Sequence, residues 1–115
     1  MTLEELGSKF GELDRFAGKL DTLHNVDCWY RNPDKGGFSL QGYWKAKFTP
    51  DLIAFTRGDK VAVLEYKGED RVSNEDSQYK EKLGRDWAAL DSERRYFKMV
   101  TKNNMQTRLE EIEAL

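Results

Sequence analysis

The run Val61-Ala-Val-Leu-Glu-Tyr-Lys67 constrains the fold more than any other segment. Four apolar residues in a row, two of them β-branched, form a strand that both faces of a sheet must bury. The run then turns ionic without a break. Glu65 and Lys67 stand two apart, so their side chains leave one face of the strand, while Tyr66 leaves the other. The face that carries Val61 and Val63 therefore ends in a carboxylate and an ammonium. Arg57-Gly-Asp-Lys60 just before it is a tight turn. Asp51-Leu-Ile-Ala-Phe-Thr56 ahead of that turn reads as the antiparallel partner. Asp51 and Glu65 then meet near one end of the hairpin.

The rest of the chain supplies what such a hairpin needs to be covered. Leu3, Leu6, Phe10, Leu13, Ala17 and Leu20 recur at spacings of three and four, the stripe of an amphipathic helix over about residues 3–22. Thr2 and Glu5 fit a capping box at its start. Tyr79, Leu83, Trp87 and Leu90 predict a second helix over 74–90, with Ser73 as N-cap, after a loop at 68–73. Met105, Leu109, Ile112 and Leu115 predict a third. Val26–Tyr30, Phe38–Phe48 and Tyr96–Val100 read as further strands. The first two suggest a hairpin around the turn-rich Arg31–Gly37. The order is α-β-β-β-β-α-β-α, one α/β sandwich with a central mixed sheet over residues 1–115.

Composition narrows the function. In 115 residues, six Phe, five Tyr and three Trp are too many for a disordered chain. No apolar run nears the roughly 20 residues of a membrane span, and Met1-Thr-Leu-Glu-Glu opens no signal peptide. The expected compartment is the cytoplasm. One Cys (Cys28) and one His (His24) exclude a structural zinc site. They also leave Cys28 without a partner base other than that one His. Net charge is −2, which argues against binding a polyanion by bulk charge. Residues 28–102 nonetheless hold fifteen basic and twelve acidic residues, so the middle of the chain is mildly positive.

Two carboxylates, Asp51 and Glu65, converging at a sheet edge beside Lys67 suit a hard divalent cation such as Mg²⁺. The lysine can stabilise charge on a phosphate and orient a water. The same residues also suit a plain cross-strand salt bridge. Trp29, Trp44 and Trp87 read as packing. Trp44 is the best candidate for base stacking, because Gly42-Tyr-Trp-Lys-Ala-Lys47 mixes aromatics with cations.

Pro50-Asp51, then Glu65-Tyr66-Lys67, resembles the PD-(D/E)XK nuclease signature. The likeness extends over residues 10–102: Phe16-Ala17, Leu20-Asp21, Val26–Asn32, Phe48–Asp51, Leu64–Gly68 and Asp76…Lys80…Gly84…Trp87 fall in an order similar to the C-terminal endonuclease domain of type III restriction subunits and DEAD/DEAH helicase-like proteins. The departure is Tyr66, which stands where a small or β-branched residue is commoner. The resemblance implies a restriction-endonuclease-like sandwich and a Mg²⁺-dependent endodeoxyribonuclease, with Mn²⁺ as a substitute. Asp51, Glu65 and the Tyr66 carbonyl would hold the metal, and Lys67 would be the catalytic lysine.

It also implies an acid from the first helix. Glu12 is the candidate, although Glu5 borders the same stripe and a solvated glutamate fits equally well. Lys80 is placed to approach the phosphate or to pair with Asp76 four residues earlier; Gln78 is a weaker candidate. Arg31 and Asn32 either hold a turn or touch phosphate. The implied partners are DNA, a helicase, translocase or recognition subunit, and a second copy of the chain, with no membrane. The alternative is a non-catalytic DNA-binding or scaffold domain of the same fold.

Overall fold

The computed structural model describes residues 3–33, 37–40, 47–67 and 75–115, with side chains from Gly11 onward. It is an α/β arrangement of three helices and one four-stranded mixed sheet. The elements are α1 (Leu3–Leu20), β1 (Val26–Arg31), β2 (Leu52–Thr56), β3 (Val61–Tyr66), α2 (Glu75–Ala89), β4 (Arg95–Val100) and α3 (Met105–Glu113). The strands lie in the order β1-β2-β3-β4. The first three are antiparallel neighbours, and β4 runs parallel to β3 after crossing over through α2. No described helix is long and apolar enough to cross a membrane.

Alternation along the strands divides the core in two. Leu52, Ala54, Ala62, Leu64 and Tyr66 face one way and pack on Leu13, Phe16, Ala17 and Leu20 of α1 and on Met105, Leu109 and Ile112 of α3. Ile53, Val63 and Phe97 face the other way, toward Leu40, Phe48 and the Leu83 and Trp87 side of α2. Gly84 lets α2 lie directly on β4, because a Cβ there would run into the Phe97 ring. The β2–β3 turn puts Asp59 at φ 62°, a left-handed conformation that aspartate tolerates better than most residues. Thr56 closes the turn: its Oγ1 accepts the Lys60 N–H at 3.0 Å and its own N–H donates to the Lys60 carbonyl at 2.9 Å.

The region after β1 differs from the sequence expectation. Val26–Arg31 pairs with Leu52–Thr56 rather than with a strand at 38–48. Residues 41–46, which include Trp44, lie outside the described residues. The described flanks, Leu40 and Phe48, form an antiparallel bridge with each other through N–H···O bonds of 2.7 and 2.8 Å. Asn32 holds both the entry to this segment and the exit from it. Its Nδ2 donates to the Phe38 carbonyl at 2.6 Å and the Pro50 carbonyl at 3.0 Å, and its Oδ1 accepts the Phe38 N–H at 2.8 Å. Asn32 therefore serves the turn, and Arg31 pairs with Asp14 of α1. The expected loop at 68–73, its Ser73 cap and the Thr2 cap also lie outside the described residues.

A concavity of about 430 Å³ lies on the α2 face toward the starts of β3 and β4. It is lined in part by Tyr30, Phe55, Val61, Trp87 and Arg95. Tyr30 and Phe55 stack with centroids 6.0 Å apart, and the Arg95 guanidinium sits 4.9 Å from the Trp87 ring centre.

Candidate functional site

The β2–β3 register builds the site. Leu52 pairs with Leu64, so the next positions outward are Asp51 and Glu65. Asp51 lies in the bend between Pro50 and β2, and its Oδ2 accepts the Tyr66 N–H at 2.8 Å. That bond fixes the carboxylate against the end of β3. On the other side, the Lys67 N–H donates to the Val100 carbonyl at 2.8 Å, extending the parallel ladder to the last residue of the motif. The backbone on which Asp51, Glu65 and Lys67 stand is thus held by strands on both sides.

Glu65 is the centre of the cluster and is only 4% exposed. Its Oε2 lies 3.3 Å from Lys67 Nζ and 3.4 Å from Lys80 Nζ. Its Oε1 is buried and accepts no hydrogen bond among the described residues. Burial, then the Asp51 carboxylate beside it, push the Glu65 carboxyl up to about 7 against the pull of the two lysines.

Lys67 is also buried, and burial, with Lys80 beside it, draws its pKa below the ordinary lysine range. For Lys80 burial opposes the charge. The carboxylates of Glu65 and Asp76 outweigh it, so its pKa lies above the ordinary range. Lys80 reaches the cluster from the second turn of α2, with its ammonium 5.4 Å from the Phe48 ring centre.

The structure thus brings together Asp51, Glu65, Lys67 and Lys80. It places Glu12 elsewhere. Tyr66 points to the α1 face, and its hydroxyl donates to Glu12 Oε2. Glu12 therefore reaches the cluster through the Tyr66 ring and backbone. Gln78 is exposed on α2. Trp29 donates its indole N–H to Asp21 at 3.1 Å, and Trp87 packs edge-on against Phe38, both as packing residues do. Cys28 and His24 are exposed.

One further residue belongs to the cluster. Asp76, in the first turn of α2, lies 3.3 Å from Lys80 Nζ and 4.0 Å from Lys67 Nζ. The i,i+4 spacing to Lys80 was readable in the sequence; the approach to Lys67 depends on how α2 docks and was not.

The donor set suits a hard divalent cation. Glu65 Oε1 is a buried acceptor without a partner, Asp51 stands beside it, and the Tyr66 carbonyl belongs to the same strand end. Mg²⁺ needs only one or two carboxylates when water and phosphate complete its octahedron. That matters because no group of three or more His, Cys, Asp or Glu converges among the described residues. Comparison with protein-family models, curated proteins and solved structures finds no match.

Proposed function

We propose that the chain is a Mg²⁺-dependent endodeoxyribonuclease domain of the PD-(D/E)XK type, with a restriction-endonuclease-like fold. The observation that carries this reading is Glu65. A carboxylate this buried, with one oxygen unmatched and another carboxylate beside it, is costly to stability. Two lysines brought to the same point from different elements do not make it a core feature. The arrangement makes sense as a place that receives a cation and a phosphate.

Asp51 and Glu65 would hold the metal, with the Tyr66 carbonyl as a third oxygen. The chemistry a divalent cation supplies in such a site is polarisation of a phosphoryl oxygen and activation of water. Lys67, its pKa drawn down by burial, orients the attacking water. Lys80 and Lys67 counter the negative charge that builds on the phosphoryl oxygens. Water adds to phosphorus, one P–O ester bond breaks, and the departing alkoxide takes a proton. The mildly basic middle of the chain neutralises few phosphates at once, so sequence selection falls to a helicase, translocase or recognition subunit. Mn²⁺ substitutes for Mg²⁺.

The test is plasmid nicking in Mg²⁺ or Mn²⁺ by the whole chain and by Asp51→Asn, Glu65→Gln and Lys67→Ala, with circular dichroism as the check on folding. Each substitution lowers cleavage by about a hundredfold or more. Full cleavage by folded Lys67→Ala would overturn the assignment.

A further inference from the structure

We infer that Lys67 and Lys80 form a phosphate subsite whose charge preference is tuned by Asp76, which weights it toward a singly charged internal phosphodiester and away from a doubly charged terminal phosphate. This rests on the nuclease reading for the identity of the substrate, and on the cluster geometry for the rest.

The two ammonium groups share one floor and one lid. The floor is Glu65 Oε2, 3.3 and 3.4 Å away. The lid is the Asp76 carboxylate, 4.0 Å from Lys67 and 3.3 Å from Lys80. Side-chain exposure grades outward, from 5% for Glu65 through 10% for Lys67 and 24% for Lys80 to 58% for Asp76. An anion arriving from solvent therefore meets the lysines on the side where Asp76 stands. An ammonium has three donors; Asp76 engages Lys80 on its outward side at 3.3 Å and stands 4.0 Å from Lys67, near enough for charge but not for a hydrogen bond. A phosphate oxygen placed there takes over the role of the Asp76 oxygens.

Asp76 does not leave when its partners are taken. It belongs to the first turn of α2, so its charge stays beside the bound phosphate. Together with Asp51 and Glu65 it sets three carboxylates against two lysines. A diester brings one negative charge into that surrounding. A terminal monoester brings nearly two at pH 8, since its second ionisation lies near pH 6. The extra charge, roughly 5 Å from a carboxylate in a largely aqueous setting, costs about fivefold in affinity. The Asp76 charge thus weights the subsite toward the interior of a nucleic-acid chain and away from its phosphorylated end, and removing that charge relaxes the weighting.

The experiment titrates the full chain in metal-free buffer at pH 8 with dimethyl phosphate and with methyl phosphate. Side-chain NMR signals of the lysines are followed in the native protein, in Asp76→Asn and in Glu75→Gln. Glu75 is the adjacent exposed acid of the same turn, and it pairs with neither lysine among the described residues. Asp76→Asn raises the affinity ratio of methyl to dimethyl phosphate about fivefold, and Glu75→Gln leaves it within twofold. An unchanged ratio in Asp76→Asn, an equal change in Glu75→Gln, or no response of Lys67 and Lys80 to either anion would each overturn the subsite. Plasmid nicking separates the two claims. Nicking with an unchanged ratio removes the subsite and leaves the nuclease reading. A shifted ratio without nicking keeps the subsite and removes that reading.

Discussion

On the α1 and α3 face of the sheet, Ala62, Leu64 and Tyr66 of β3 enter a cluster of fourteen buried apolar residues. On the α2 face, Val63 enters a cluster of five, and the next two residues pointing that way are Glu65 and Lys67. One strand thus serves two environments in alternate residues. On the first face the Tyr66 hydroxyl donates to Glu12, and the buried Tyr96 hydroxyl, which has no hydrogen-bond partner among the described residues, is kept uncharged by burial. On the second, Glu65 Oε1 is left unmatched. A domain this small has little surplus stability, and its unmatched buried carboxylate lies on the face where, among the described residues, the apolar cluster is the smaller. The first face carries most of the described apolar packing, and the second bears the cost of a buried, partly unmatched carboxylate.

Truncating neighbouring residues of β3 that face opposite ways separates the two faces by the largest effect. Leu64→Ala removes a side chain from the large cluster and is expected to cost about 2–5 kcal/mol. Val63→Ala removes two methyl groups from the small one and costs about 1–2 kcal/mol. Urea unfolding of both variants measures the difference. Equal costs would mean that the two faces are packed to the same effect, and the division of labour would fall.

Removing the charge of Glu65 should act in the opposite direction. In the native chain this carboxyl is held at about 7, against an ordinary 4.5. Between those values the folded state keeps a proton that the unfolded chain has released. The stability this contributes is complete below about pH 4.5 and is lost as pH rises through 7. Without metal, the native domain is therefore expected to lose about 1–3 kcal/mol between pH 5 and 8. Glu65→Gln flattens that slope and is the more stable protein at pH 8. Added Mg²⁺ or Mn²⁺ restores stability to the native chain by mass action and does little for the variant. Urea unfolding at both pH values, with EDTA and then with metal, decides it. A slope that persists in Glu65→Gln would place the titrating group elsewhere.

The elements that follow local periodicity were legible in the sequence: the stripes of α1 and α3, the buried run of β3 and the Asp59 turn. The pairing of Asp51 with Glu65 was legible too, because a tight turn fixes a hairpin's register. The segment 38–48 was not. Alternation of Phe38, Leu40, Gly42 and Trp44 resembles a strand, but alternation carries no record of the antiparallel bridge between Leu40 and Phe48. The flanks of that bridge are held by Asn32, whose side chain joins residues 6 and 18 positions away. Asp76 was legible as a helix partner of Lys80 but not as a neighbour of Lys67, since that contact needs α2 docked on β4. The helical wheel put Glu12 at the border of its stripe, where it can turn toward either the sheet edge or the core, and only the packing of Tyr66 decides which.

The smallest expected effect bears on that last point. Tyr66 is 2% exposed, and its hydroxyl makes the one described hydrogen bond between α1 and the residues of the site. Tyr66→Phe keeps the ring and its packing and removes the donor. Glu12 is half-buried and can turn its carboxylate to water, so the loss is that of one charge-assisted hydrogen bond, about 1–2 kcal/mol. If Glu12 serves the fold through Tyr66, then Tyr66→Phe and Glu12→Gln lower stability by similar amounts, and plasmid nicking by both stays within a few-fold of the native chain. If Glu12 is instead the acid that completes the metal site, Tyr66→Phe keeps its activity while Glu12→Gln loses it together with the stabilisation by Mn²⁺. The geometry favours the first outcome. Glu12 lies on the face opposite Glu65 and Lys67, and moving it to the metal side would require breaking the bond that now anchors it to the large core.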